Sequence, residues 1–381
     1  MKISLLCMDL SNNCLGRSYL LAKALQPFYE VEIVGPQFRS ETWSPVAQDT
    51  TIPFKRIIID GVLKPFHQLM KISDMIEGDV IYASKPILSS LGVGLLHRWR
   101  TRKPLILDID DWQLGHGLPR IRDVRSQIGH LLIYHHFSYW NAMICEKLIR
   151  SADQVTVSNP FLQRKYGGTL VPHGKDTVTM DPVRYNRAEI RRGHHIDEHM
   201  RVVMFYGTPR RYKGIEHLIE AVRRIGRTDV MLMVAGLTEN NDYCDKLREL
   251  GTELLGDRFL GLGEWRIDET PELISISDIA VVPQSDHAWA QGQTPAKVFD
   301  AMAMAKPVIA TAVSDLPEIL HGCGWVIPPD YPGRLSDTIE YVLSHPEEAT
   351  EAGQKARQKC LEKYSWKVVG QTLRSVFARY E

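Results

Sequence analysis

The sequence predicts an α/β protein built from two Rossmann-like, doubly wound domains. Three observations carry that expectation. Apolar runs of strand length alternate with helical patterns, the alternation breaks in a polar stretch and then restarts, and 381 residues exceed the usual size of one domain. The expected layout is residues 1–175 as the first domain, 176–200 as a linker, 201–363 as the second domain, and 364–381 as a closing helix.

Composition narrows the function classes. Hydrophobic residues at 44% and charged residues at 24% describe an ordinary globular protein with ample core. Forty-six basic residues balance forty-six acidic ones, so nothing global points to nucleic acid. No run of ~18 apolar residues suggests a membrane span, and the start MKISLLCMDLSNN turns polar too early for a signal peptide. Six cysteines without CxxC spacing read as reduced thiols, so a cytoplasmic protein is expected.

In the first half, Lys2 to Cys7 is a buried-strand pattern. A loop containing Gly16 then leads into the helical pattern Tyr19, Leu20, Leu21, Ala24 and Leu25. Such a loop can approach a phosphate, although it lacks the GxGxxG fingerprint, and a simple tight turn at Gly16 fits equally well. Strands follow at Tyr29–Val34, Arg56–Ile59, Asp79–Ala83 and Pro104–Ile109. The last turns acidic at its carboxyl end, Asp108-Ile109-Asp110-Asp111, where open α/β sheets place ligand-binding residues. A metal-binding DxD triplet is the weaker reading of these residues. From Gly115 to Trp140 histidines and aromatics concentrate, among them His116, and Leu131 to Ile144 forms an undisciplined amphipathic pattern. The plain reading is a core helix. The alternative is a surface for a lipid-linked ligand, helped by Arg98, Trp99 and Arg100.

The second half restarts with the strand Arg201–Gly207, followed by Thr208-Pro209-Arg210-Arg211-Tyr212-Lys213-Gly214 and a helix with Ile215, Leu218, Ile219, Val222 and Ile225 on one face. Cations in a glycine-bounded loop between strand and helix suit a phosphate. Further on, QGQTPAKVFDAMAMAKPVIAT (291–311) joins a loop to a helix and a strand. Thr294-Pro295 is a helix start, whose amides around Ala296 and Lys297 suit an anion. The two features together suggest a pyrophosphate site. Strands at Asp229–Ala235, Arg258–Leu260, Asp278–Pro283, Pro307–Thr311 and Gly324–Ile327 complete the second sheet.

These residues resemble the nucleotide-sugar domain of the GT-B glycosyltransferases, specifically the retaining family 4. The matching pieces are Tyr206-Gly207 through Lys213-Gly214, Ser277 to Pro283, Lys297 to Ala303 with Lys306-Pro307-Val308-Ile309, Leu316-Pro317-Glu318-Ile319, and Tyr364-Ser365-Trp366 before the last helix. The resemblance implies two domains facing each other across a cleft, with the last helix crossing back onto the first. It implies that Lys213 contacts a donor diphosphate, that Asp300 holds the ribose, that amides near Ala296 and Lys297 bind phosphate, and that Gly16 and Gly207 line the site. It also implies metal-independent catalysis, with no cofactor beyond the nucleoside diphosphate sugar as donor substrate.

The match departs from the family in three places. Thr208 stands where the family's arginine follows the first loop glycine, so Arg210 or Arg211 takes that role. Gly292 stands where the family has its first glutamate, leaving Gln291 and Gln293, the nearby Asp286 and His287, or backbone amides for the donor sugar, with Thr294 among the donor-binding residues. Asp110 or Asp111 replaces the acceptor-side histidine, with His116 nearby, although a polar strand end that caps its loop explains the aspartates equally well. The function implied is transfer of a hexosyl group, with retention, from a nucleoside diphosphate sugar to a saccharide or lipid-linked acceptor in glycan or cell-envelope polysaccharide biosynthesis. Asp110, Arg210 and Lys213 would be the catalytic set. Peripheral contact with the inner face of a membrane is an accompanying reading. A non-catalytic nucleotide-sugar-binding protein and a sugar-nucleotide epimerase are the rivals, the latter disfavoured by the few carboxylates near Gly292.

Overall fold

A computed structural model describes residues 1–59, 65–117, 139–329 and 331–381, the side chains of 65, 66, 116 and 117 apart. It divides into two compact units. The first holds Met1–Gly174, Gly292–Thr294 and Trp366–Glu381, the second Lys175–Gln291 and Pro295–Ser365.

The first unit contains β1 (Lys2–Leu6), β2 (Glu30–Gln37), β3 (Phe54–Ile58), β4 (Val80–Ser84), β5 (Leu105–Ile109), β6 (Gln154–Val157) and β7 (Thr169–Leu170). These run parallel in the order β3-β2-β1-β4-β5-β6-β7. Parallel sheets are covered on both faces, which is why β4 and β5, largely apolar but for Ser84 and Asp108, are buried throughout. The order reverses between β1 and β4, so the loops leaving these strands diverge and open a crevice at their carboxyl ends.

Beneath that crevice lies a buried ion pair. Arg17, on the helix Leu15–Leu25, sends Nε and Nη2 to the two oxygens of Asp108 at 3.0 and 2.9 Å, and its remaining donors reach the Pro172 and Val171 carbonyls at 3.1 and 2.7 Å. The Thr156 hydroxyl donates to the same carboxylate at 2.8 Å. Helix, β5 and the segment after β7 are therefore pinned through one guanidinium. The DxD reading fails here, because Asp108 already serves Arg17. Among the described residues no group of three His, Cys, Asp or Glu side chains is placed to hold a metal ion. Along the same sheet, Phe377 of the helix Trp366–Phe377 meets Tyr82 edge-on at 5.3 Å.

The second unit contains β8 (Arg201–Tyr206), β9 (Val230–Ala235), β10 (Phe259–Leu262), β11 (Ile279–Val282), β12 (Val308–Thr311) and β13 (Trp325–Ile327). Their order is β10-β9-β8-β11-β12-β13, again parallel, with the reversal between β8 and β11. Alternation along β8 sends Val202 and Met204 into one core and Val203 and Phe205 into the other. The helix Ile215–Ile225 buries Ile215, Leu218, Ile219 and Val222, the stripe its sequence shows.

Residues 176–200 are not a bare linker. They carry the helix Arg187–Gly193 and add Met180 and Ile196 to the second core. Sequence periodicity misses this because charge holds the segment: Arg187 and Arg191 pair with Asp278 at 2.6 and 2.7 Å, and Arg191 also reaches the Ile276 and Met200 carbonyls. The expected helix over 131–144 falls largely outside the described residues, and its described part lies in the helix Tyr139–Leu148. No helix among the described residues is long and apolar enough to cross a membrane.

Removing one partner of a buried pair leaves the other charge uncompensated, at a cost of about 3–5 kcal/mol. Arg17→Met is expected to lower the unfolding free energy by about that amount. Urea denaturation of the variant matching wild type would show that the Asp108 pair anchors nothing.

Candidate functional site

In the second unit the sheet reversal places two loops side by side, one after β8 and one after β11. The Ser285 amide donates to the Tyr212 carbonyl at 2.8 Å. A Cβ on Gly214 would stand 2.0 Å from the Pro283 carbonyl oxygen, and Gly214 holds φ +64°, so glycine is required for the loops to meet. Gly207 holds φ +107° where β8 ends.

Within this frame the predicted cations have different settings. Lys213 sends its amine 2.8 Å to the Thr208 carbonyl, folding back across its own loop. The exposed Arg211 lies over the Tyr243 ring with its guanidinium carbon 5.3 Å from the centroid, while the Tyr243 hydroxyl donates to Glu216 at 2.8 Å. Arg210 is exposed at the loop's edge.

The helix expected from Pro295 begins at Lys297 and ends at Ala303. Its first turn is tight: the Val298 and Phe299 amides donate to the Pro295 and Ala296 carbonyls at 3.1 and 3.2 Å. The Lys297 side chain bends back so that its amine sits 3.5 Å from the centroid of the Phe205 ring, where a Cβ on Gly207 would approach it to 3.2 Å. Burial pushes this amine well below the usual lysine range, and Lys213 pushes it the same way. Asp300, one turn on, is buried and joined to Lys175 at 2.6 Å. Burial raises its carboxyl above the usual value while Lys175 opposes that. Gln291 donates to Asp286 at 2.9 Å and accepts from the Ser314 amide at 3.2 Å.

In the first unit, Lys85 follows β4 in a left-handed conformation, φ +72°, a strained setting for a residue with a side chain. Its buried amine pairs with Asp110 at 2.7 Å and with Asp111. Two carboxylates share one lysine away from water, so Asp110 is pushed up to about 6, by burial first, against the pull of Lys85. Lys85 itself is held well above its usual value by the two aspartates, burial opposing. The Ser158 hydroxyl donates to the Asp110 carbonyl at 3.0 Å.

The three residues Gly292–Thr294 belong to this unit, and Gln293 donates to Asp111 at 3.0 Å. Thr294 is buried. Gly16 has its own packing reason, since a Cβ there would stand 3.3 Å from the Trp43 ring. The His116 side chain lies outside the described residues.

The structure therefore gathers Gly207, Arg210, Arg211, Lys213, Lys297 and Asp300 in the second unit. It gathers Asp110, Asp111 and Gln293 in the first. Sequence reasoning missed Lys85, Lys175 and the Lys297 amine. The signal for Lys85 was a lone charge at a strand's carboxyl end, and Lys175 stood at the boundary between the expected first domain and the linker, where no pattern marks it. Lys297 was read for its backbone amide alone.

The Asp110 carboxyl gives a pH prediction. It keeps its proton up to about 6 in the fold but releases it near 3.8 when unfolded, so the native state binds more protons between those values. The stability it contributes is present below that window and is lost as pH rises through it. Asp110→Asn should therefore gain relative to wild type between pH 4 and 6 and level off above, in urea unfolding curves. A difference flat across that range would show an ordinary carboxylate.

Residues 186–359, just under half the chain, match the family model described as Glycosyl transferases group 1. Alpha-maltose-1-phosphate synthase of Mycobacterium tuberculosis is 25% identical over 198 residues, 48% of this chain and 49% of that protein. Alpha-D-kanosaminyltransferase of Streptomyces kanamyceticus is 25% identical over 195 residues, 50% of this chain and 48% of that protein. The chain thus spans about half the length of these curated relatives. HepE of Anabaena, solved in complex with UDP-glucose, is similar in fold over 100% of both chains, with a TM-score of 0.80 at 19% identity.

Proposed function

We propose that the chain, residues 186–359 of which match the group 1 glycosyl transferases, moves a hexosyl group, with retention, from a nucleoside diphosphate sugar to a saccharide or lipid-linked acceptor. The observation that carries this reading is the glycine-bounded loop Gly207–Gly214 at the sheet reversal. It presents Arg210, Arg211 and Lys213 beside an amine sealed at Gly207. Cations gathered where the strand order reverses are the arrangement a phosphate ligand requires. Support comes from the UDP-glucose held by HepE, and from the alpha-linked products named for the two relatives.

In this reading the leaving diphosphate rests on the loop. Arg210, Arg211 and Lys213 offset the charge that grows as the glycosidic bond breaks, each charge-assisted contact contributing ~1.5–3 kcal/mol. Asp300, steadied by Lys175, takes the ribose hydroxyls. Gln291 and Gln293 serve the donor sugar in place of the absent glutamate. Asp110, with Asp111 and His116, orients the acceptor hydroxyl, and Lys85 fixes the two aspartates. The cations supply the stabilisation that a metal gives in other transferases, so no metal is needed. Gly292 at the glutamate position favours one other reading, a protein that binds the nucleotide sugar without turnover.

A thermal-shift panel of UDP, GDP, ADP, CMP and dTDP, with and without EDTA, tests the donor site. A cognate nucleotide at ~100 times its dissociation constant adds about 2.7 kcal/mol, a rise of several degrees in the midpoint. That rise should survive EDTA, and Lys213→Ala should weaken binding about tenfold or more. No response to any nucleotide would remove the donor site. Binding with neither hydrolysis nor transfer of a matching nucleotide sugar would favour the binding-only reading.

A further inference from the structure

The Lys297 amine has no exposed surface and no hydrogen-bond acceptor among the described residues. A buried lysine that serves only the fold is normally satisfied, and this chain holds a direct contrast. Burial lowers Lys306 to about 7, yet its amine donates to the Ser275 and Ser277 carbonyls at 2.9 and 2.8 Å. The Lys297 amine instead lies over aromatic rings, 3.5 Å from the Phe205 centroid and 5.9 Å from that of Tyr206.

The charged and titratable groups around it explain why. Lys213, from the β8 loop, repels a charge on Lys297, while Asp300, from its own helix, favours one. The Asp300 carboxylate is already joined to Lys175. Tyr206, from β8, turns its hydroxyl to the Lys297 carbonyl rather than to the amine. The carboxylate that favours a charge here thus has another partner, and the nearby cation opposes one.

Resting on the donor-site reading above, we propose that the Lys297 side chain is the proton-taking receptor of the diphosphate. The neutral amine takes one proton from solvent as the anion arrives, R–NH2 becoming R–NH3+, and the ammonium pairs with a phosphate oxygen beside Gly207. An anion offsets the repulsion from Lys213, so one binding event supplies both the partner and the reason to be charged. Binding then consumes a proton and weakens as pH rises.

Calorimetry of the full chain at pH 8, in two buffers of different ionisation enthalpy, reads this directly. The probes are UDP, GDP, ADP and dTDP, whose terminal phosphate titrates near 6 and is already deprotonated. For wild type the heat should depend on the buffer, corresponding to uptake approaching one proton per nucleotide bound. Lys297→Met should bind about tenfold or more weakly, with no buffer dependence. Lys297→Arg, permanently charged, should bind without uptake. Buffer-independent heats in wild type, or uptake that survives in Lys297→Met, would overturn the inference while leaving the donor site intact. Failure of every nucleotide to bind wild type would overturn both.

Discussion

A sealed amine held near a second amine is the constraint on which the second unit's carboxyl edge depends. Burial first, and the nearby Lys213 after it, disfavour a charge on Lys297, while Asp300 favours one. Both glycines of the β8 loop follow from that arrangement. Gly207 leaves room for the end of the Lys297 chain, and Gly214 lets the loop lie directly on the Pro283 carbonyl. A side chain at either position would push the cations away from the strand ends, and the site would lose its concentration of charge.

The first unit handles charge in the opposite way, by layering pairs. Asp108 and Asp110 are two residues apart at the end of β5, yet they do different work. Asp108 is locked by Arg17 and Thr156 and belongs to the frame. Asp110 and Asp111 stand beyond the strand and share Lys85, which leaves more negative than positive charge at the rim. Burial first, and the neighbouring Asp111 after it, raise the Asp110 carboxyl against the pull of Lys85.

The strands were legible because parallel strands buried on both faces read as near-continuous apolar runs: VIYAS, VMLMVA and VIAT declare themselves. The Ile215–Ile225 helix declared itself through its stripe. The segment 176–200 did not, because Arg187 and Arg191 fasten it to Asp278 and ion pairs leave no periodic trace. The cations of the Gly207–Gly214 loop were legible from charge between glycines. The lysines that pair with Asp110 and Asp300 were not, since Lys85–Asp110 and Lys175–Asp300 join residues 25 and 125 positions apart, contacts that only the folded chain creates.

The glycine at position 292 has a consequence for how this sequence can change. A Cβ there would stand 2.5 Å from the Trp112 Cβ and 3.2 Å from its backbone nitrogen. Any residue other than glycine presents a Cβ at 112, and every residue presents the nitrogen, so trading the tryptophan for a smaller side chain does not clear the way. Placing a glutamate at 292 demands a shift of the main chain before the new carboxylate has any use. Position 292 is thus closed to side-chain chemistry by the backbone itself, and change at this loop is left to its neighbours Gln291 and Gln293.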